Sequence, residues 1–307
     1  MSPALQESGH IGKQAMSERE REILARVSSG ETMKGKEMDY SIIKYPRTHH
    51  LEGSRLQKGD EDLSQVPFSE ILGKNITIEE KIDGANTAVS FDGEGKLLLQ
   101  SRGHYLYGGH KERHYNLFKQ WANVYKDILY SALGSRYVMY GEWMYAKHTV
   151  YYDQLPHYFL EFDIFDREEQ IFLSTHRRHE MLKNLPVVSV PVLKIGTFQN
   201  KEDLISLLGK SNFISENKTE TLRTTSEKLG LDVERQVRET DASDTMEGLY
   251  MKIEENGQVI DRLKYVRASF TQTVDVSQTH WLDRPIVPNG LAIPVEAIYA
   301  PKLLGKE

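Results

Sequence analysis

Short apolar strand patterns dominate the middle of the chain. Asn75–Glu80 alternates apolar and polar positions and predicts a strand. Thr87–Phe91 and Leu97–Ser101 flank Asp92-Gly93-Glu94-Gly95 and predict a hairpin. Tyr137–Trp143 and Tyr158–Phe165 predict two further strands, and Gly248–Ile253 with Val259–Val266 predict a closing pair around Asn256-Gly257. Leu117, Trp121, Val124, Ile128 and Leu129 recur near helical spacing, which predicts a helix over Tyr115–Leu133. His176–Asn184, Lys201–Leu208 and Glu216–Glu239 read as helices, the last broken near Gly230. Strands and helices do not alternate as βαβ units. The expected fold class is therefore α+β, with largely antiparallel sheets flanked by helices.

Residues 1–39 are polar, with one helical candidate, Ser17–Val27, capped by Ser17 with Glu20 three residues on. They read as an appendage. The main domain is expected over residues 40–275, followed by a short tail over 276–307.

Composition narrows the classes. The 307 residues are 39% hydrophobic, which suits a soluble globular chain. No run approaches the roughly 18 apolar residues of a membrane span. The first residues carry no apolar core of a signal peptide, and a cytoplasmic location is expected. With no cysteine, disulfides, thiolate zinc sites and thiol nucleophiles are excluded.

The net charge of −6 argues against coating nucleic acid through bulk electrostatics. Three local basic clusters remain: Lys44, Arg47, His49, His50, Arg55 and Lys58; Arg102, His104, His110, Lys111, Arg113 and His114; and His176, Arg177, Arg178, His179 and Lys183. Solvated surface explains each as readily as binding does. His110 and His114 stand at i, i+4, but no third ligand is suggested, so no histidine metal site is expected.

The sharpest chemical feature is Lys81-Ile82-Asp83-Gly84-Ala85-Asn86. A lysine ending a buried strand is desolvated, which lowers its pKa and frees a lone pair for attack. A glycine beside it lets a phosphate approach the backbone. Alone, so short a pattern is weak. Other strands also carry charge or an aromatic ring: Arg102 in Ser-Arg-Gly, Glu142 in Tyr-Gly-Glu, Phe162 beside Asp163, Glu247 and Lys252 in Glu-Gly-Leu-Tyr-Met-Lys, and Lys264 in the last strand. Strands that spend core positions on charge need a reason, because unpaired buried charge is costly.

This ordered set resembles the motifs of the ATP-dependent polynucleotide ligases and mRNA capping enzymes, over about residues 41–267. Asn86, together with Lys44-Tyr45-Pro46 and His50-Leu51-Glu52-Gly53, is most similar to the RNA ligase 2-like branch. The resemblance implies a nucleotidyltransferase (ATP-grasp-like) domain and an RNA ligase that joins 5′-phosphate and 3′-hydroxyl ends through lysyl-AMP and adenylylated RNA, in RNA repair. It implies ATP as AMP donor and Mg²⁺ or Mn²⁺ as cofactor. Lys81 matches the nucleophile. Lys264 and Lys252 match cations that bind the α-phosphate and depress the pKa of Lys81. Glu142 and Glu247 match carboxylates serving ribose and metal, and Phe162 the ring that stacks on adenine. Asp83, Gly84, Asn86 and Arg102 fall at the nucleotide, and Lys44, Arg47, Arg55 and Arg102 at the RNA.

Two features depart from the pattern. Relatives often carry two lysines in the last motif, whereas here Lys264 is accompanied by Arg262 or Arg267. Only about forty residues follow, too few for an OB barrel. A protein partner, the N-terminal arm or a narrow substrate range would have to compensate. A DNA ligase or GTP-using capping enzyme is the alternative enzyme, and a catalytically inactive nucleic-acid or nucleotide-binding module is the alternative of another class. An NAD-dependent ligase would carry a cysteine-rich zinc module, which this chain lacks.

Overall fold

The computed structural model describes residues 40–56, 59–60, 62–270 and 285–300. Residues 1–39, including the helix expected over Ser17–Val27, lie outside the described residues, as do Lys58 and the side chain of Lys111.

The strands are β1 (His49–Leu51), β2 (Gln65–Val66), β3 (Ile76–Lys81), β4 (Ala85–Phe91), β5 (Leu97–Ser101), β6 (Tyr137–Trp143), β7 (Phe159–Asp166), β8 (Ile171–Leu173), β9 (Val188–Ser189), β10 (Val192–Gly196), β11 (Gly248–Glu255) and β12 (Gln258–Val266). They join in the order β10-β3-β11-β12-β8-β7-β6-β4-β5. Every pairing on this path is antiparallel. Among the strands of the described residues, β1 with β12, β1 with β2, and β7 with β9 pair in parallel, and an isolated parallel bridge joins Leu155 to Leu291. The α+β expectation therefore holds.

The sheet behaves as two arms joined through the short β8. One arm (β10, β3, β11, β12) packs Ile76, Ile78, Leu249, Met251 and Leu263 around Leu204. The other (β7, β6, β4, β5) packs against helices Asn116–Val124 and Lys126–Leu133 through Phe118, Trp121, Leu129 and Leu133. The single helix expected over Tyr115–Leu133 is thus two. Tyr125 leaves helical geometry at φ −101°, ψ 12° and is itself buried, so the kink turns both helices onto one core.

Asp83-Gly84 looks like hairpin chemistry, but β3 and β4 do not pair. β3 lies between β10 and β11, and β4 between β5 and β6. The segment carries the chain from one arm to the other. A Cβ on Gly84 would sit 2.8 Å from the Trp143 carbonyl and 2.7 Å from Met144 Sδ. The glycine is required for this crossing over β6, a packing reason for it beside the expected approach of a phosphate.

Residues 285–300, expected as a tail, are built into the fold. Ile298 is fully buried in the main core. Asn289 receives the Tyr152 N–H at 3.0 Å and donates to the Met144 carbonyl at 2.7 Å. The segment pairs with the loop between β6 and β7, which the strand pattern alone leaves open.

Candidate active site

The faces of the two arms enclose a cavity of about 180 Å³. β3 contributes Glu79, Glu80 and Lys81, β4 Asn86, β6 Glu142, β7 Phe162 and β12 Lys264. Arg102 lines its exposed rim, just past β5. Residues scattered along the sequence from Glu79 to Lys264 therefore meet because the sheet folds back on itself. Strand register fixes part of the arrangement, since Asn86 pairs with Glu142.

Lys81 ends β3 with its side chain 20% exposed, and its Nζ lies 2.8 Å from Glu247 Oε1. Glu247 just precedes β11 and is buried. Burial pulls the Lys81 pKa down, but Glu247, then Asp83 and Glu142, outweigh it and hold it above the ordinary lysine value. This corrects the expected depression by neighbouring cations. The repulsion between lysines falls on Lys264 instead: burial and Lys81 lower its pKa against the opposing pull of Asp60. Lys264 Nζ contacts Asp60 Oδ2, and Asp60 also reaches buried His50 at 3.2 Å.

Glu142 faces the opposite wall. Burial, then Asp83 and Glu247, raise its pKa to about 8 against the pull of Lys81 and the Gly84 N–H, which donates to it at 3.2 Å. Lys81 pairs with Glu247, and the raised pKa of Glu142 shows that the site disfavours a second negative charge until a further cation arrives. Mg²⁺ and Mn²⁺ suit such hard oxygen donors, and Mg²⁺ is commonly bound by one or two carboxylates with waters and substrate phosphates completing its shell. Glu142 and Glu247 thus fit the expected metal.

Phe162 and Val190 give the cavity an apolar wall beside Tyr45, whose ring meets Phe162 edge-on at 5.1 Å. Thr48 and Tyr250 complete this side, their hydroxyls 2.9 Å apart. Tyr45, Thr48, Glu79, Glu80, Val190 and Tyr250 are lining residues that the motif pattern did not single out. The Lys-Tyr-Pro segment was the one available signal for Tyr45.

Other expected residues lie elsewhere. The Asp83 carboxylate accepts the N–H groups of Thr149 at 2.7 Å and Val150 at 2.9 Å, so it holds a neighbouring loop and does not face the cavity. Lys252 is fully buried beneath the floor. Its Nζ is 2.8 Å from Glu79 and 3.5 Å from Asp163, and it donates to the Phe162 carbonyl. It belongs to a network in which Arg178 joins Glu79 at 2.8 Å and Glu161 at 2.7 Å, and Arg262 joins Asp163 at 3.0 Å. Three cations balance three carboxylates. Burial alone would raise the Asp163 pKa, but Arg262, Lys252 and Arg178 hold it below the usual carboxylate range. Lys252 is therefore held in this buried network and does not line the cavity, where the resemblance had placed it on the α-phosphate.

The same network removes Arg178 from the third basic cluster, because Arg178 is fully buried. Arg262 stacks over Phe172 at 3.9 Å and Arg267 donates to the Met246 carbonyl, so neither lines the cavity beside Lys264. Arg47 binds Asp62 through two 2.7 Å hydrogen bonds, and Arg55 donates to the Ala268 carbonyl at 2.8 Å. Both hold their own chain in place. Lys44 and Arg102 are exposed.

A deep cavity with a lysine at a strand end, opposed carboxylates and an apolar wall has the composition of a nucleotide-handling site. The model of the RNA ligase family matches residues 74–266, more than half of the chain, and the chain belongs to that family. No curated protein matches the chain. Solved structures similar to it include mutant forms of Naegleria gruberi RNA ligase. One bound to ATP and Mn has 16% identity and a TM-score of 0.41 over 64% of this chain and 51% of that one. A second, without ligand, has 15% identity and a TM-score of 0.43 over 79% and 61%. A third, with AMP and Mn, has 14% identity and a TM-score of 0.41 over 71% and 59%. This chain therefore spans about half to three fifths of the length of those proteins. No described helix is long and apolar enough to cross a membrane.

Proposed function

We propose that the protein is an ATP-dependent RNA ligase that joins a 5′-phosphate to a 3′-hydroxyl through a lysyl-AMP intermediate. One observation carries the reading: a lysine placed in a cavity against the carboxylate of Glu247, with Glu142 and Lys264 on the facing walls. Family membership sets the reaction class, and the ATP bound by the Naegleria enzyme supports the choice of nucleotide.

In this reading adenine stacks on Phe162 against Val190 and Tyr45. Lys264 exchanges Asp60 for a phosphate oxygen. A divalent cation on Glu142 and Glu247 would neutralise these carboxylates and part of the triphosphate charge. Lys81, released from Glu247, keeps the burial that favours a neutral amine, and loses its proton to solvent. Its lone pair attacks the α-phosphorus. The N–P bond forms as the bond to pyrophosphate breaks. The terminal 5′-phosphate oxygen of RNA then attacks the same phosphorus and restores the free amine. Finally the 3′-hydroxyl attacks the RNA phosphate and AMP departs. Each step is an in-line displacement, so positioning and charge neutralisation supply most of the rate.

The test is covalent labelling. With Mn²⁺ and α-labelled ATP, the wild type should retain label after denaturation and Lys81→Ala should retain none. Equal label on both proteins, or label from GTP alone, sinks the proposal. Adding 5′-phosphorylated RNA should discharge the label into RNA, and DNA ends of the same sequence serve as the comparison.

A further inference from the structure

Beyond the cavity, the same sheet face continues to an open edge. Asn86 and Glu142 face each other in the cavity. Two residues along, Ala88 pairs with Tyr140 and with Gln100 of β5, so Gln100 shares their face. The chain then turns at 101–104 and runs back beside β5. Tyr105 bridges to Gln100, and the Leu106 N–H donates to the Leu99 carbonyl at 2.8 Å. Alternation along this returning segment puts Tyr105 and Tyr107 on the cavity face. Their ring centroids are 5.9 Å apart.

Tyr105 is anchored, its hydroxyl donating to the Tyr40 carbonyl at 2.6 Å. Tyr107 is 83% exposed, more than any other large apolar side chain among the described residues. A lone exposed ring needs no explanation. This one is paired with a second ring, and a cationic path joins it to the cavity. Arg102 is exposed at the cavity rim, and Lys44 is exposed between the cavity residue Tyr45 and Ile43. The Ile43 carbonyl in turn accepts from Gln100 at 2.9 Å. By strand rise, Arg102 and Tyr107 lie roughly 13 Å apart, the span of a few nucleotides. On a chain of net charge −6, an anionic polymer must be held by such a local arrangement.

We infer that the β5 edge is a ledge for the single-stranded RNA whose 5′-phosphate enters the cavity, with Tyr107 stacking on a base and Arg102 and Lys44 meeting backbone phosphates. Aromatic stacking tolerates any base, so the ledge would grip a strand without reading its sequence. The inference rests on the RNA ligase reading for the identity of the polymer, but its test does not require catalysis.

Fluorescence anisotropy with a labelled, 5′-phosphorylated single-stranded oligoribonucleotide measures binding to the full chain directly. Tyr107→Ala should raise Kd by roughly five- to a hundred-fold, and Tyr107→Trp should bind about as tightly as wild type. The KM for ATP in self-labelling should not change, because Tyr107 lies outside the cavity. An unchanged Kd in Tyr107→Ala, a Tyr107→Trp variant as weak as Tyr107→Ala, or no binding by the wild type would overturn the ledge. A wild type that binds the RNA through Tyr107 yet takes no label from ATP leaves the ledge standing and removes the ligase reading.

Discussion

Glu142 is a carboxylate whose surroundings oppose its charge. Its pKa near 8 in the fold compares with 4.5 for the ordinary group. Between those values the unfolded chain releases a proton that the folded chain keeps. The contribution of Glu142 to stability therefore falls as pH rises from about 4.5 to 8. Glutamine has no proton to lose. Glu142→Gln should melt higher than wild type by a few degrees at pH 8, with the gap narrowing toward pH 5. The same variant should lose self-labelling. Melting curves at three pH values check the first part, and a gap independent of pH contradicts it. Such a trade of stability for function is expected where a metal or substrate is to complete the charge balance. The residue type and its strand position were legible in the sequence. The sign of its pKa shift was not, because that depends first on how deeply the closed sheet buries it and then on which charges lie beside it. Lys81 repeats the lesson: a strand-end lysine suggested a depressed pKa, and the ion pair with Glu247 reversed it.

The strand carrying Lys252 shows what an element can hide. Along β11, apolar side chains fill one face and Lys252 lies on the other, paired in register with Thr77 of β3. From sequence it looks like a functional cation. In the fold it neutralises Glu79 and Asp163 under the cavity floor. Removing one partner of a buried ionic network typically costs about 3–5 kcal/mol, because the remaining charges lose compensation. Lys252→Met should therefore lower the melting temperature by roughly 6–20 °C. Loss of activity with an unchanged melting temperature would instead return Lys252 to the phosphate. Elements with strong periodicity were legible: Tyr137–Trp143 is a strand over the expected residues, and the Thr87–Ser101 hairpin forms. Three-residue strands such as β1 and β8 were not. They carry too few positions for a period to show, and they exist because β12 offers them an edge.

Across the whole molecule, the segment 285–300 closes one side of the core. Its Asn289 satisfies buried backbone groups, and Ile298 fills space beside the helices at 116–133. Deleting residues 285–307 would expose apolar surface and leave buried polar groups unpaired. The truncated chain should be insoluble or should melt more than roughly 10 °C lower. Full stability after truncation would show that the segment is a dispensable tail.

The resemblance to the ligase motifs singled out Lys81, Glu142, Phe162, Glu247 and Lys264, and the local pattern of the sequence determined the longer strands and the antiparallel class. These follow from nearest-neighbour geometry, since side-chain alternation and turn residues act over a few positions. Only the tertiary structure decided which charges meet. It placed Lys81 on Glu247, hid Lys252 and Arg178 in a neutral network, turned Asp83 toward a loop and set Asp60 on Lys264. Electrostatic energies in a low-dielectric interior vary steeply with separation, and separation between distant residues is fixed by how the two arms of the sheet close, not by spacing along the chain.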